Sequence, residues 1–292
     1  MPTLTASDAS DRFRREPDRM LDVGAGQVAC RTVGSGPDVL FVHGWPVSGA
    51  TFRKLLPHLV DHVTCHVIDL PGAGSSTVSA TDSLTVERHF ENVRRSIDLL
   101  ELDDVAVVGH DSGGLIARHA VAGDPRLRSM GLINTEPPSV GWRFRSFIAA
   151  RFVPGFGGAF GWLAGAPRLR RAKFVLGDAF ADRSLLDGEF DEFFLQPLHT
   201  SKQRQADAVR VLKSFDMQHV TDLVDVHRRI DVPVQLVWGV EDPFFPIASA
   251  REMVDTFPNA RLAEIPDAGL FSHEERPAEV AAALLPTLTR AR

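Results

Sequence analysis

Short apolar runs alternate along the chain with longer stretches in which apolar residues recur at helical spacing. Runs of about four to eight apolar residues bounded by Gly, Pro, Asp or Ser signal buried strands, and recurrence every three to four positions signals helices. On this pattern Gly26–Val33 and Asp38–Val42 read as strands, Gly49–Leu59 as a helix and Val63–Leu70 as a strand. The turn-rich stretch PGAGSSTVSATDS leads, through Leu84 and Thr85, into a helix from Val86 to Leu100. A strand at Val105–Gly109, a helix beginning just past Asp111 and a strand at Met130–Asn134 follow. Late in the chain come strands at Val232–Trp238 and Ala260–Ile265, a helix between them at Ile247–Phe257, and a terminal helix from Pro277 to Thr289.

Such alternation predicts an α/β fold with a mostly parallel central sheet flanked by helices. The rhythm stops between residues 137 and 228, which read as helices rich in Phe, Gly and Arg, with a helical run at Gln203–Lys213. Because strands resume afterwards, this stretch is expected to be a helical lid inserted into the sheet domain. The division is therefore 1–136 and 229–292 for the core and 137–228 for the cap. The first ~15 residues are expected to be mobile, as chain ends commonly are.

Composition narrows the classes. The chain has 292 residues, 44% of them apolar, and a net charge of −6, which gives no basic footprint for nucleic acid or an anionic membrane. No apolar run reaches the ~18 residues that a membrane span needs. The first twenty residues are charged and lack the apolar segment of a secretory signal, so a cytoplasmic location is expected. Cys30 and Cys65 sit in strand-like segments and read as reduced core thiols. The scattered histidines show no metal-ligand spacing, so neither metal nor cofactor is expected.

The chemistry concentrates at VVGHDSGG, residues 107–114. An apolar strand ends at Gly109 and a helical pattern begins at Ser112, so Asp111 stands on the bend between them. Glycines at 109 and 113 flank it at the spacing of a nucleophile elbow, where side chains would clash with the crossing backbone. The bend also puts residue 111 at a helix N-terminus, which favours negative charge. Read alone, the string also fits an ordinary strand–turn–helix with an Asp cap.

Two further strings make the pattern specific. HGWP (43–46) follows one predicted strand, DLPGAGSS (69–76) follows the next, and GHDSGG comes after the third. Their order resembles the α/β-hydrolase superfamily, in the branch with an aspartate nucleophile: epoxide hydrolases, haloalkane dehalogenases and fluoroacetate dehalogenases. The resemblance implies Asp111 as nucleophile and the backbone N–H groups of Trp45 and Ser112 as an oxyanion hole, with His43 and His110 as structural neighbours of these loops at the pocket. It also places Asp242, in LVWGVEDPFFP (236–246), at the position of the acid; the alternative for this residue is a turn residue before Pro243.

At the position of the base the chain departs from the family. Aligning Phe271, Glu274 and Pro277 of AGLFSHEERP puts Leu270 where the resemblance implies a histidine, and His273 falls three residues later. An Asp carboxylate can open an epoxide or displace a halide without that base, but the resulting ester needs it for hydrolysis. Asp242, left facing an apolar side chain, is expected to be protonated near neutrality. Four readings follow: a substitution that stalls hydrolysis, a repurposed enzyme using Asp111 as acid or base in cyclisation, isomerisation or elimination, a shifted loop that makes His273 the base, or a non-catalytic binding protein.

The absence of tyrosine, against 19 Phe and 4 Trp, removes the lid tyrosines that the epoxide hydrolase resemblance implies. Ser112 stands where dehalogenases of this kind carry a halide-binding Trp, and the first arginine after the elbow is Arg118, too deep to match the carboxylate-holding Arg of fluoroacetate dehalogenases. The motifs lean towards the epoxide hydrolase group. Trp142, Phe156, Phe160 and Trp162 of the cap are candidate lining for an apolar pocket, or simply cap packing, and as a set they imply a small hydrophobic substrate.

Overall fold

The computed structural model of the chain describes residues 4–24, 26–79, 83–173 and 176–291. The chain opens on helix α1 (Ala6–Arg14), where Thr5 and Asp8 form a reciprocal capping box. For residues 4–15 this corrects the expectation of a mobile beginning, while residues 1–3 lie outside the described residues. Arg31 reaches back to the carbonyls of Arg12 and Arg15 and lies over the Phe13 ring, and Arg14 pairs with Glu189 and Glu192. Strand β1 (Arg19–Asp22), which the pattern did not show, forms the edge of the sheet against β2 (Gln27–Gly34).

The remaining core elements are β3 (Asp38–Val42), β4 (Thr64–Asp69), α2 (Val86–Leu99), β5 (Val105–His110), α3 (Ser112–Val121) and β6 (Leu127–Ile133). Strand β6 starts three residues earlier than the pattern predicts. The expected helix at Gly49–Leu59 is instead two single 3₁₀ turns, Gly49–Phe52 and Leu56–His58, because Pro57 cannot donate the hydrogen bond a continuing helix needs.

Between β6 and the next strand the chain makes α4 (Trp142–Ala150), α5 (Phe156–Ala164), α6 (Pro167–Arg170), α7 (Gln196–Thr200), α8 (Lys202–Ser214), α9 (Gln218–Thr221) and α10 (Leu223–His227). Strand β7 (Val234–Gly239), α11 (Ile247–Val254), β8 (Ala260–Ile265), α12 (Ser272–Glu275) and α13 (Pro277–Leu288) complete it. The sheet order is β1-β2-β4-β3-β5-β6-β7-β8, parallel from β4 onward, with β1 and β2 antiparallel. This is an α/β-hydrolase fold.

Two apolar layers cover the sheet. Leu40, Val107, Leu115, Leu132 and Leu236 belong to one core, which extends to the inserted helices through Phe144, Phe190 and Phe215. Phe41, Val108, Ile133 and Val237 face the other, packed on α13. The alternation of faces follows from the period of two along a strand. Cys30 and Cys65 are buried, unpaired strand residues. Among the described residues no helix is long and apolar enough to cross a membrane.

Candidate active site

Asp111 is the single residue between β5 and α3, with φ 51° and ψ −135°. The surrounding glycines make this bend possible. A side chain at Gly113 would run into the carbonyl oxygens of Val42 and His43, and one at Gly109 into the backbone of Gly114. Gly44 lets the β3 loop pass directly over the Asp111 carboxyl. The N–H of Asp111 donates to the carbonyls of Ile133 and Asn134, and its own carbonyl accepts from the Gly114 N–H and the Thr135 hydroxyl, both at 2.8 Å. Such over-determination holds a strained backbone in place.

Asp111 is half-buried. Its Oδ2 accepts from the Trp45 N–H at 3.0 Å, and the same N–H also donates to the Ser112 hydroxyl oxygen at 2.9 Å. Burial raises the pKa of Asp111 well above the usual carboxylate range, the charge of Glu136 raises it further, and the N–H groups of Ser112 and Trp45 offset only part. Glu136, which is fully buried, is pushed up by desolvation and held down in part by the Arg118 guanidinium. Arg118 donates to the Thr135 hydroxyl oxygen and to the Glu136 carbonyl, both at 2.9 Å, while Thr135 in turn donates to Glu136 Oε2 at 3.0 Å. Burial lowers Arg118 to about 10, so it stays a cation.

Asp111 and Glu136 both line one cavity of about 100 Å3, together with Trp45, Phe144, Phe147, Phe160, Phe215 and Leu270. Among the described residues its lining contains two carboxyls, an apolar wall and no imidazole. A larger cavity of about 410 Å3, with Arg31, Asp69, His89 and Asp207 on its walls, lies next to it, and Trp45, Ser112, Ile116 and Val211 line both.

The family profile of the alpha/beta hydrolase fold matches residues 37–277. The chain belongs to this family. Within it, the chain is 28% identical to a pimeloyl-[acyl-carrier protein] methyl ester esterase of Chromobacterium violaceum over 84% of this chain and 92% of that protein. It is 24% identical to haloalkane dehalogenase 2 of Mycobacterium tuberculosis over 91% of this chain and 93% of that one. The solved structure of epoxide hydrolase CorEH superposes with a TM-score of 0.76 at 18% identity, covering 92% of this chain and 97% of that one, which speaks to the fold alone.

Against this alpha/beta hydrolase frame, the sequence-predicted residues divide. Asp111, Trp45, Ser112, Leu270 and Phe160 meet at the small cavity. Asp242 does not line it: Oδ1 accepts from the N–H groups of Phe244 and Phe245, and Oδ2 from the Asn134 amide at 2.9 Å. Desolvation pushes Asp242 up to about 7, and its charge raises Asp111 slightly.

His273 is corrected as a candidate base. The chain turns inward into α12 after Phe271, so His273 is buried with Nε2 bonded to the Thr51 hydroxyl at 2.8 Å, away from the cavity lining. One further pocket assignment needs correction, since His110 lies behind the elbow with its ring 4.3 Å from that of His273. His43 lines the larger cavity, accepting from the Leu70 N–H. Trp142 and Phe156 line a separate groove on the insert, and Trp162 points outward, 60% exposed.

Sequence reasoning passed over Glu136, Thr135 and the aromatic side chains of Phe144 and Phe147. Glu136 carried a readable signal, since it follows the C-terminal end of a parallel strand, the edge at which such sheets place ligands.

Proposed function

We propose that the protein is a proton-transfer enzyme for a small hydrophobic molecule, with Asp111 and Glu136 as its acid–base pair. The reactions that suit it are isomerisation, cyclisation or elimination, none of which requires hydrolysis of an enzyme ester. One observation carries the reading: two carboxyls share an apolar cavity whose described lining includes Leu270 and no imidazole. Two such carboxyls do not both ionise near neutrality, so the pair holds one proton between them. The ionised member takes a proton from the substrate and the protonated one gives a proton back, a device worth about 10²–10⁴ in rate. Trp45 and Ser112 orient the Asp111 carboxyl through their N–H groups, and Arg118 with Thr135 orients Glu136.

A second reading has its own support. The Asp111 carboxyl held by backbone N–H groups is also arranged as a nucleophile, and with no base on the wall an epoxide would alkylate it once and stall. Intact-protein mass spectrometry with styrene oxide, beside product analysis of apolar enones and cyclic epoxides in deuterated water, separates the two. Deuterium uptake or rearrangement without an adduct, lost in Asp111→Asn and in Glu136→Gln, supports proton transfer. A persistent adduct on Asp111 supports the stalled alkylation instead, and ligand binding with neither outcome leaves a binding protein.

A further inference from the structure

The net charge of −6 hides a local reversal. From Trp142 to Lys173 the sequence carries seven cations, at 143, 145, 151, 168, 170, 171 and 173, and not one Asp or Glu. Arg143, Arg170 and Arg171 are neutralised by Asp178, Asp187 and Asp191. Arg145, Arg168 and Lys173 are exposed and have no carboxylate partner among the described residues. Arg151 stacks under the Phe152 ring with Nε and Nη1 unbonded.

The same segment displays most of the large apolar side chains that the molecule exposes. Trp142 is 75% exposed, Phe152 69%, Trp162 60% and Val153 59%. Phe152 and Val153 lie in the turn between α4 and α5, ahead of Pro154 and Gly155. Large apolar groups left in water beside unpaired cations are the pattern of a surface that seats in the headgroup region of a bilayer.

A third observation gives that surface a purpose. Between α4 and α5 runs a groove of about 310 Å3, lined by Trp142, Phe156 and Leu163. Its inner wall is Phe147, Phe160 and Phe244, and these three also line the Asp111 cavity. Three aromatic side chains thus stand between the groove and the cavity of the two carboxyls, and rotamer changes of such side chains need no backbone rearrangement.

We infer that the α4–α5 face of the insert docks on an anionic lipid surface and that the groove between these helices admits an apolar substrate from the lipid to the Asp111 cavity. Charge complementarity selects the occupant, because the unpaired cations face outward while the rest of the molecule is net acidic. A protein partner fits less well: the groove continues inward to a cavity sized for a small molecule, and a leaflet is a reservoir for such molecules. The inference deepens the proposed function at its substrate, but the docking step needs no catalytic role for Asp111.

The test is co-sedimentation of the full chain with phosphatidylcholine vesicles with and without phosphatidylglycerol. Binding is expected to the phosphatidylglycerol vesicles and to be weaker on phosphatidylcholine alone. Each Lys or Arg near an anionic surface contributes roughly fivefold in partitioning, so Arg145→Gln/Arg168→Gln/Lys173→Gln should lower it by about two orders of magnitude. Phe152→Ser/Trp162→Ser should abolish binding with its thermal melt unchanged, since both side chains stand in solvent. Asp111→Asn should bind as the unmodified chain does, so that a failure of the acid–base reading leaves this result intact. Absence of vesicle binding, or equal binding by all variants, overturns the inference. So does a dimer in sedimentation equilibrium that Phe152→Ser/Trp162→Ser disperses, for that would give the face to a second copy of the chain.

Discussion

His110 donates from Nε2 to the backbone carbonyl of Leu270 at 3.0 Å, so the residue that walls the cavity is tied through its own backbone to an imidazole behind it. The bond fixes the tautomer of His110 and leaves Nδ1 as an unbonded acceptor, beside a second unbonded Nδ1 on His273. Burial pushes His110 down to about 3 and His273 well below its usual value. Both are neutral packing groups. The imidazoles of this region pack behind the loop that carries Leu270, and the proposed acid–base pair is made of carboxyls.

Leu270→His is the direct probe of that division. The new imidazole would enter a cavity beside Glu136, whose negative charge favours its protonated form and leaves less of it free to accept a proton, Asp111 being neutral once esterified. Hydrolysis of any Asp111 ester should therefore rise by less than about tenfold. A gain of about 10²–10⁴, the usual contribution of a positioned base, would return the protein to the hydrolytic reading. The rate of loss of the adduct, followed by mass spectrometry, decides it.

Glu136→Gln removes the charge that helps to raise Asp111. The Asp111 carboxyl should then titrate at lower pH, and any turnover should fall by about 10²-fold or more. Carboxyl carbon NMR of labelled aspartate, read against pH, reports the shift without needing the substrate. An unmoved Asp111 resonance would mean that the two carboxyls do not sense each other.

Asp242 gives the fold a pH signature. Its folded pKa of about 7 lies above the ordinary 3.8, so the folded state retains a proton that the unfolded chain releases first. Stability from this group is greatest below pH 3.8, falls as pH rises to about 7 and levels off beyond, a total of about 4 kcal/mol. Asp242→Asn should flatten that slope in urea unfolding, at the cost of the Asn134 contact, because the new amide turns an N–H donor towards the Asn134 N–H donor. A slope identical in the two proteins would assign the effect to another group.

Trp45 stands in the partition between the two cavities. Its indole donates to the Ala208 carbonyl at 2.8 Å and packs on Phe147 and Phe160, whereas its backbone N–H serves Asp111. Trp45→Ala should merge the spaces of about 100 and 410 Å3 while keeping that N–H. Calorimetry with a series of straight-chain alcohols should show the preferred length increasing, and an unchanged preference would place the partition elsewhere. The truncation should also lower stability by about 3 kcal/mol.

The elbow was legible because its requirement is local: glycines at 109 and 113 around one residue at positive φ. Strands buried on both faces announced themselves for the same reason, as continuous apolar runs. Strand β1 did not, since RMLD lies at a sheet edge with most of its residues exposed. The capping box of α1 was written in Thr5 and Asp8, but a polar beginning invites reading as a loose end. Which insert aromatics face the site was not readable. Phe160 and Trp162 stand two residues apart on α5, about 200° around the helix, so one enters the cavity and the other meets solvent. Only the partner helices decide which.

The grip of Arg14 on Glu189 and Glu192 has one more consequence. The first helix acts as a strap from the sheet edge to the insert, and its buckle is a set of half-exposed ion pairs. Dissolved salt screens such pairs within a Debye length of about 10 Å at 0.1 M. Raising ionic strength should slacken the strap, so that stopped-flow entry of an apolar fluorophore quickens with salt; a salt-independent rate would show the strap to be idle.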